Sequence, residues 1–229
     1  MSAPQTARSR NTFARALLRH GRAAFTLVEL LVVIAIIAIL AGMILPTLAR
    51  GKDKGKTAAC ANNVRQLYLA TLMYEEDYKV FPIGWYPALV GPRNWEYQLQ
   101  PYVGKKTTTW AGGVYNCPSG KGFWGDLTYS MNYEINLNRA DICMRNIKDA
   151  VNTILFADTD GWDSCLYPDT NATGNVLYRH SGGGEFSAKT LRVAGALRTK
   201  MGRANSVFMD GHIRLLKQAE TNLFTLARD

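Results

Sequence analysis

The sequence lacks the short motifs that accompany many catalytic sites. It contains no nucleophile elbow, no HExxH pair and no phosphate-binding glycine loop. A triad drawn from His180, Asp210 and a serine such as Ser181 or Ser206 has no such motif to support it. We therefore expect a protein that is not an enzyme.

Acidic residues are absent from residues 1–24, which carry five arginines. The rest of the chain has 22 basic and 18 acidic residues, so it supplies only +4 of the net charge of +9. It shows no basic stripe with interleaved aromatic residues, and we expect no nucleic-acid partner. Arginines placed just before an apolar run predict instead a cytoplasmic N-terminus, by the positive-inside rule.

Closely spaced cysteine pairs are absent as well, and this argues against a zinc ribbon. The four cysteines are Cys60, Cys117, Cys143 and Cys165. In an exported domain they permit two disulfides with three possible pairings. Free, buried cysteines are the alternative.

The most prominent feature present is an apolar run in which no polar side chain interrupts residues 30–45. A helix over residues 25–48 would be about 36 Å long, which is enough to span a bilayer. A cleaved signal peptide and a plain signal anchor are the alternatives. Neither explains Glu29, because a carboxylate costs about 2.5–3.5 kcal/mol at mid-membrane and less near the interface. Glu29 therefore predicts a partner group, such as the free α-amino group of a neighbouring subunit.

The segment Ala24-Phe25-Thr26-Leu27-Val28-Glu29, with the apolar run after it, resembles the type IV prepilin signature, which type II secretion pseudopilins share. The resemblance implies cleavage between Ala24 and Phe25 by a prepilin peptidase, followed by N-methylation of Phe25. It also implies that Glu29 pairs with the Phe25 amine of an adjacent subunit during assembly, and that Pro46 bends the helix. The sequence departs from the signature at Ala24, where the family usually has glycine.

After the span, helical spacing predicts a second, amphipathic stretch of the same helix. Its apolar face comprises Cys60, Val64, Leu67, Thr71, Tyr74 and Tyr78. The predicted organisation has four parts: a leader that is removed (1–24), a transmembrane helix (25–48), its amphipathic continuation (49–80), and an exported, loop-rich β domain (81–229).

The outer domain is rich in aromatic residues and short strands. Trp85, Trp95, Trp110 and Trp124 could form a stacking surface for a ligand such as a sugar, although core packing is the more common role. Residues 153–157 predict a strand, and residues 206–216 a hairpin with Asp-Gly at its turn. The predicted fold class is α+β and pilin-like, with a long N-terminal helix packed on a small antiparallel sheet.

A second set of residues resembles the pseudopilin-like proteins with an "H-X9-DG" C-terminal domain. The set comprises Cys60 with residues 62–67, Cys117-Pro118, residues 129–133, Arg179-His180 and residues 208–212. The segment between His180 and Asp210-Gly211 is much longer than the nine residues of that pattern, which puts a shared geometry of His180 and Asp210 in doubt.

The densest set of potential metal ligands is Asp158, Asp160, Asp163, His180, Asp210 and His212. Three close aspartates in a glycine-containing loop suit a hard cation, so Asp158, Asp160 and Asp163 are candidate calcium ligands. This loop resembles the calcium-stabilised loop that major pseudopilins often have. The alternative is that Asp158 and Asp210 are turn residues whose carboxylates accept bonds from nearby backbone N–H groups.

These observations predict a pilin-like subunit of the bacterial inner membrane, with its C-terminal domain outside. The expected partners are a prepilin peptidase, like or related pilin subunits in a filament, and the secretion or pilus assembly machinery. The filament would be a type II secretion pseudopilus or a type IV-like pilus. The alternative is a monomeric, membrane-anchored module that binds a glycan or a protein.

Overall fold

The computed structural model of the chain describes residues 26–83, 94–104, 113–120, 127–136, 142–159, 165–166, 176–177, 179–180, 202–217 and 223. The chain divides into two compact units, Met1–Pro46 and Thr47–Asp229. One helix, α1 (Leu27–Tyr78), includes residues of both units.

In the first unit, the described residues form the apolar stretch of α1. Every residue from Thr26 to Pro46 is exposed except Ala41, which is half-buried. Within the described part of the chain, α1 is the one helix that is long and apolar enough to cross a membrane. Pro46 lies inside the helix, and the bend expected there stays a prediction.

In the second unit, α1 has a buried face made of Cys60, Val64, Leu67, Ala70 and Thr71. Its spacing of three and four residues is that of one helix face, as the sequence predicts. The prediction is wrong for Tyr78, which is 61% exposed and stacks on Tyr74 instead of entering the core. The helix ends at Tyr78, and Lys79 follows with a left-handed φ of 61°.

The second unit also contains a five-stranded sheet with the order β3-β1-β2-β4-β5. Its strands are β1 (Tyr129–Asn132), β2 (Ile154–Asp158), β3 (Cys165–Leu166), β4 (Ala204–Phe208) and β5 (Ile213–Leu216). Neighbouring strands are antiparallel except β1 and β3, which are parallel. Because β3 follows β2 in the chain and runs beside β1, two reversals of direction leave it parallel to β1. The α+β pilin-like fold class is confirmed, but the prediction of an antiparallel sheet is wrong at β3, which makes the sheet mixed.

Strands β1, β2 and β4 are buried at every position, because both faces of the sheet are covered. The larger core cluster includes the buried face of α1, and the smaller one includes Ile154, Leu166 and Phe208. Two short helices, α2 (Trp95–Gln98) and α3 (Tyr133–Asn136), add to this unit.

The predicted hairpin is present as β4 and β5, with Val207 paired to Ile213. Its turn brings the Gly211 N–H to within 2.9 Å of the Phe208 carbonyl oxygen, and Gly211 has a φ of 86°. Glycine suits this position for a second reason: a Cβ there would lie 2.6 Å from Cε1 of Tyr68. The turn therefore lies directly against α1.

Candidate functional site

The start of α1 is capped by a hydrogen-bonded pair of residues, Thr26 and Glu29. The Thr26 backbone N–H and hydroxyl donate to Glu29 Oε2 at 2.9 and 2.7 Å, and the Glu29 N–H donates to Thr26 Oγ1 at 3.2 Å. This reciprocal pattern is a capping box, which satisfies two backbone N–H groups that a helix start leaves open. Glu29 thus has a partner in its own chain, in a role that the sequence reasoning did not consider.

Two of the predicted processing and assembly residues, Ala24 and Phe25, lie outside the described residues. Their cleavage, and the pairing of the Phe25 amine with Glu29 of a neighbour, stay predictions. A negative charge in the first turn is also favourable to the helix dipole. The Glu29 carboxylate therefore stabilises the start of α1.

A second constellation lies inside the globular unit and joins four residues that are distant in sequence. Cys60 comes from α1, Cys117 follows the 3-10 turn Gly113–Tyr115, Asp158 ends β2, and His180 lies in a β-bridge with Arg203. All four are buried, and their potential ligand atoms lie within 4.8 Å of one another. We call Cys60, Cys117, Asp158 and His180 the buried cluster.

The contacts in the buried cluster centre on Asp158 and on one nitrogen of His180. His180 Nε2 lies 3.1 Å from Asp158 Oδ2 and 3.5 Å from Cys117 Sγ. The Cys60 thiol donates to Asp158 Oδ1 at 3.1 Å. The carboxylate is therefore flanked by a thiol on one oxygen and by an imidazole on the other.

Burial and these hydrogen bonds shift the acidities of the cluster in different directions. Burial lowers the pKa of His180, but the hydrogen bonds to Asp158 and Cys117 outweigh it and raise this pKa to about 9. A hydrogen-bond interaction with Cys60 lowers the pKa of Cys117 to about 6, although burial opposes this shift. Burial raises the pKa of Cys60 well above its ordinary value.

All four cysteines are free and buried, so neither of the two possible disulfides is formed in this structure. Cys60 and Cys117 meet in the buried cluster. Cys143 instead precedes the 3-10 turn Met144–Asn146, and its thiol lies 3.5 Å from Asn146 Oδ1. Cys165 is in β3. The structure thus has the alternative arrangement, that of free buried cysteines.

The three aspartates predicted as calcium ligands are only partly described. Asp160 and Asp163 lie outside the described residues, so the calcium site stays a prediction. Asp158 is surrounded by two sulfur atoms and an imidazole, whereas calcium prefers oxygen ligands. Asp158 also differs from a turn residue, because its Oδ2 accepts the backbone N–H of Asn205 on the adjacent strand at 2.7 Å.

Asp210, by contrast, is a turn residue, which was the alternative to a role as a metal ligand. Its Oδ1 accepts the His212 backbone N–H at 3.1 Å and lies 2.6 Å from His212 Nδ1. Partial burial alone would raise the pKa of Asp210, but its hydrogen bonds to the backbone N–H and to the imidazole of His212 together outweigh burial and lower this pKa. Asp210 and His180 therefore belong to separate hydrogen-bonded groups.

The cluster combines residues that the sequence reasoning had assigned to different roles. Asp158 and His180 were considered as metal ligands, whereas Cys60 and Cys117 were considered as disulfide cysteines or as free, buried ones. The separation of 98 positions between Cys60 and Asp158 explains why no spacing motif identified the set. The sequence did indicate that Cys60 belongs to the core, because helical spacing places it on the apolar face of α1.

Of the four tryptophans predicted as a possible stacking surface for a ligand, the structure describes one, Trp95. Trp95 is fully buried, and its ring centroid lies 4.9 Å from that of Phe156 and 5.9 Å from that of Tyr115. It is a core residue and does not offer a face to a ligand. Trp85, Trp110 and Trp124 lie outside the described residues.

Comparison with known families gives two matches. Residues 19–45 match the family described as "Prokaryotic N-terminal methylation motif", and residues 54–112 match "Protein of unknown function (DUF1559)", the H-X9-DG-type family. No curated protein and no solved structure matches the chain.

The first match covers Ala24, Phe25, Glu29 and most of the exposed apolar stretch of α1, and the second covers its buried face. The apolar helix and the methylation motif together indicate anchoring in a membrane. The capped start of α1 and the sheet that its buried face contacts fit these two matches, which support a likeness to prepilins and pseudopilins.

Proposed function

We propose that the chain is a filament subunit that a prepilin peptidase cleaves before Phe25 and methylates there, and that it assembles through its N-terminal helix. The observation that carries the proposal is the apolar, exposed stretch of α1 beginning at the Thr26–Glu29 cap, within the matched methylation motif. An exposed apolar surface of this length requires lipid or the helices of other subunits around it.

The filament would be a type II secretion pseudopilus or a type IV-like pilus, built at the inner membrane with the globular unit outside. The arginine-rich residues 1–24 support this orientation, because positive charge before a span favours the cytoplasmic side. The role would be mechanical and non-enzymatic. The complete burial of the thiol, imidazole and carboxylate of the buried cluster supports this, because a substrate would have no access to them.

The alternative is a monomeric binding module whose tryptophans stack on a ligand. Trp95 does not support it, because this side chain is buried in the core. The two functions differ in the mature N-terminus. We expect mass spectrometry of the protein from its native membrane to find a chain that begins with N-methylated Phe25. A chain that still begins at Met1, or one that begins beyond Pro46, would contradict the filament proposal.

The role of Glu29 in assembly can be separated from its role in the cap. Glutamine preserves a capping box but has no charge to pair with an amine. We therefore expect both Glu29→Gln and Glu29→Ala to leave cleavage intact and to abolish cross-linked multimers.

Thr26→Ala serves as the control, because it removes the cap at a cost of about 1 kcal/mol and keeps the carboxylate. Cross-linked multimers should persist in Thr26→Ala. If multimers are lost in Thr26→Ala and Glu29→Ala but kept in Glu29→Gln, then the cap, and not the charge, is what assembly needs.

A further inference from the structure

The buried cluster has a donor set that suits a particular class of metal ion. Two thiols, one imidazole and one carboxylate are the ligand types of tetrahedral zinc sites. In such a site the metal lies about 2.3 Å from sulfur and about 2.0–2.2 Å from nitrogen and oxygen. Ligand atoms at these distances are separated from one another by roughly 3.4–3.8 Å along the edges of the tetrahedron.

Three of the separations in the buried cluster are close to those edges. Cys117 Sγ and His180 Nε2 are 3.5 Å apart, and the carboxylate oxygens lie 3.1 Å from His180 Nε2 and from Cys60 Sγ. The two shorter distances are hydrogen bonds, and movements of a few tenths of an ångström would open them to the edge of a tetrahedron. One ligand atom from each of the four residues lies within 4.8 Å of the other three, so the widest pair would have to close by about 1 Å to reach such an edge.

Two hydroxyl groups outside the cluster set the orientation of the His180 ring through its Nδ1 atom. Its Nδ1 lies 3.2 Å from Thr57 Oγ1 and 3.3 Å from Ser119 Oγ, on the side opposite Nε2. A proton on Nδ1 would be donated to one of these hydroxyls, and the Nε2 lone pair would then face Asp158 and Cys117. Metal-binding histidines are commonly held in this way by an oxygen on the second nitrogen.

The same arrangement argues against a cysteine–histidine–aspartate triad. In a triad the nucleophile and the carboxylate bond opposite nitrogens of the imidazole. Here Cys117 and Asp158 both face Nε2, so the histidine cannot take a proton from the thiol while the carboxylate holds its other side. Two acceptors at one nitrogen fit a shared proton or a shared metal ion, and not a relay through the imidazole.

The remaining ligands are supported by hydrogen bonds from outside the cluster. The Tyr129 hydroxyl donates to Cys60 Sγ at 3.0 Å, and the Ser119 N–H reaches Cys117 Sγ at 3.5 Å. The Asn205 N–H donates to Asp158 Oδ2 and so fixes the orientation of the carboxylate. Such donors orient ligands and stabilise their negative charge.

Charge balance also favours an ion. Two thiolates and a carboxylate would place three negative charges in an interior site, and a divalent cation would reduce this to one. Arg179 is 3% exposed, its Nη2 donates to the Thr159 carbonyl oxygen, and its Nε and Nη1 have no hydrogen-bond partner among the described residues. Its positive charge would offset the remaining one, since buried charges are tolerated when they are paired.

We propose that the buried cluster binds one divalent transition-metal ion of the zinc class, in a tetrahedral site formed by its two cysteines, its histidine and its aspartate. The ion would tie α1 to the sheet and to the segments that contain Cys117 and His180. Because the ligands come from four distant parts of the chain, binding would stabilise the folded globular unit. This inference is independent of filament assembly.

The direct test is metal analysis of the full chain purified in detergent, followed by zinc K-edge absorption spectroscopy. We expect one zinc ion per chain, with two sulfur ligands at about 2.3 Å and two nitrogen or oxygen ligands at about 2.0–2.2 Å. Cobalt replacement should give the visible bands of a tetrahedral ion and a thiolate charge-transfer band. A chain that takes up neither metal, or a metal shell without sulfur, would overturn the proposal.

A pair of cysteine variants adds a matched comparison. Cys117→Ser should lose the zinc and lower the thermal midpoint by roughly 10 °C. Cys143→Ser removes a buried thiol outside the cluster and should keep the zinc. Equal zinc content in the two variants would refute the assignment. Should Cys117→Ser fail to fold, the absorption and cobalt spectra of the unmodified chain decide.

Two further measurements separate this proposal from its competitors. Thiol alkylation without reductant, followed by mass spectrometry, should find Cys60 and Cys117 unlinked. A Cys60–Cys117 disulfide in the native protein would show that the pair is oxidised and binds no metal. Glu29→Gln, which should block assembly, is expected to keep its zinc, so the two proposals can fail separately.

Discussion

Helix α1 contains two stretches that differ in how their apolar residues are arranged. In the first unit, leucine, isoleucine and valine side chains occupy all sides of the helix and are exposed. In the second unit, apolar residues of α1 form one face that is buried in the core. The same secondary structure thus serves two environments.

The difference shows that the pattern of hydrophobicity, more than its amount, indicates what covers a helix. A helix that is apolar all round has no solvent face and belongs in lipid or among other helices. A helix with a single apolar stripe is covered by its own domain. Substitutions placed at matched positions in the two stretches test this distinction.

The largest effect is expected for the loss of a core side chain from the buried face. Leu67→Ala should lower the free energy of unfolding of the globular unit by about 2–5 kcal/mol, because it leaves a cavity in a fully buried site. Ile36→Ala, in the exposed stretch, should leave that free energy unchanged. Denaturation of the chain in detergent, followed by tryptophan fluorescence, would measure both. Similar losses in the two variants would remove the distinction between the stretches.

A charge placed on an exposed leucine should have its larger effect in the first stretch, where it would hinder membrane insertion, and little effect in the second. Leu40 and Leu69 are 54% and 47% exposed, so neither substitution disrupts a packed site. Leu40→Lys should weaken membrane insertion by about 2.5–3.5 kcal/mol. Leu69→Lys should change stability by less than about 0.5 kcal/mol and leave insertion intact.

An insertion assay in membranes, with alkaline extraction as a second measure, would compare these two lysine variants. Equal membrane retention would mean that the apolar stretch is not the membrane anchor.

A smaller effect is expected where the hairpin turn meets the second stretch of α1. Gly211→Ala should cost about 1–3 kcal/mol more than Gly104→Ala, because an added Cβ at residue 211 collides with Tyr68. Both glycines have positive φ, but a Cβ at residue 104 meets nothing within 4 Å, so the control removes the backbone cost. Thermal unfolding would measure both variants.

The double variant Gly211→Ala/Tyr68→Ala gives the second arm of this comparison. Removal of the ring should abolish the extra cost of Gly211→Ala relative to the Tyr68→Ala background. An unchanged cost would show that the close approach of Tyr68 is not the cause.

Local features were predictable because their causes lie within a few residues. The buried face of α1 follows from spacing along one helix, and the β4–β5 hairpin follows from two apolar strands around Asp210-Gly211. The prediction was wrong at Tyr78, the last residue of the helix, because periodicity continues there while the domain's core does not.

The anchor, the methylation motif and the faces of α1 follow from the sequence without any coordinates, since each is a pattern of neighbouring residues. Which distant residues meet depends on the folded chain: the parallel placement of β3 beside β1, and the convergence of Cys60, Cys117 and Asp158 on His180. Those contacts require the chain to return to the same point after long separations, and packing of the whole sheet against α1 sets that return.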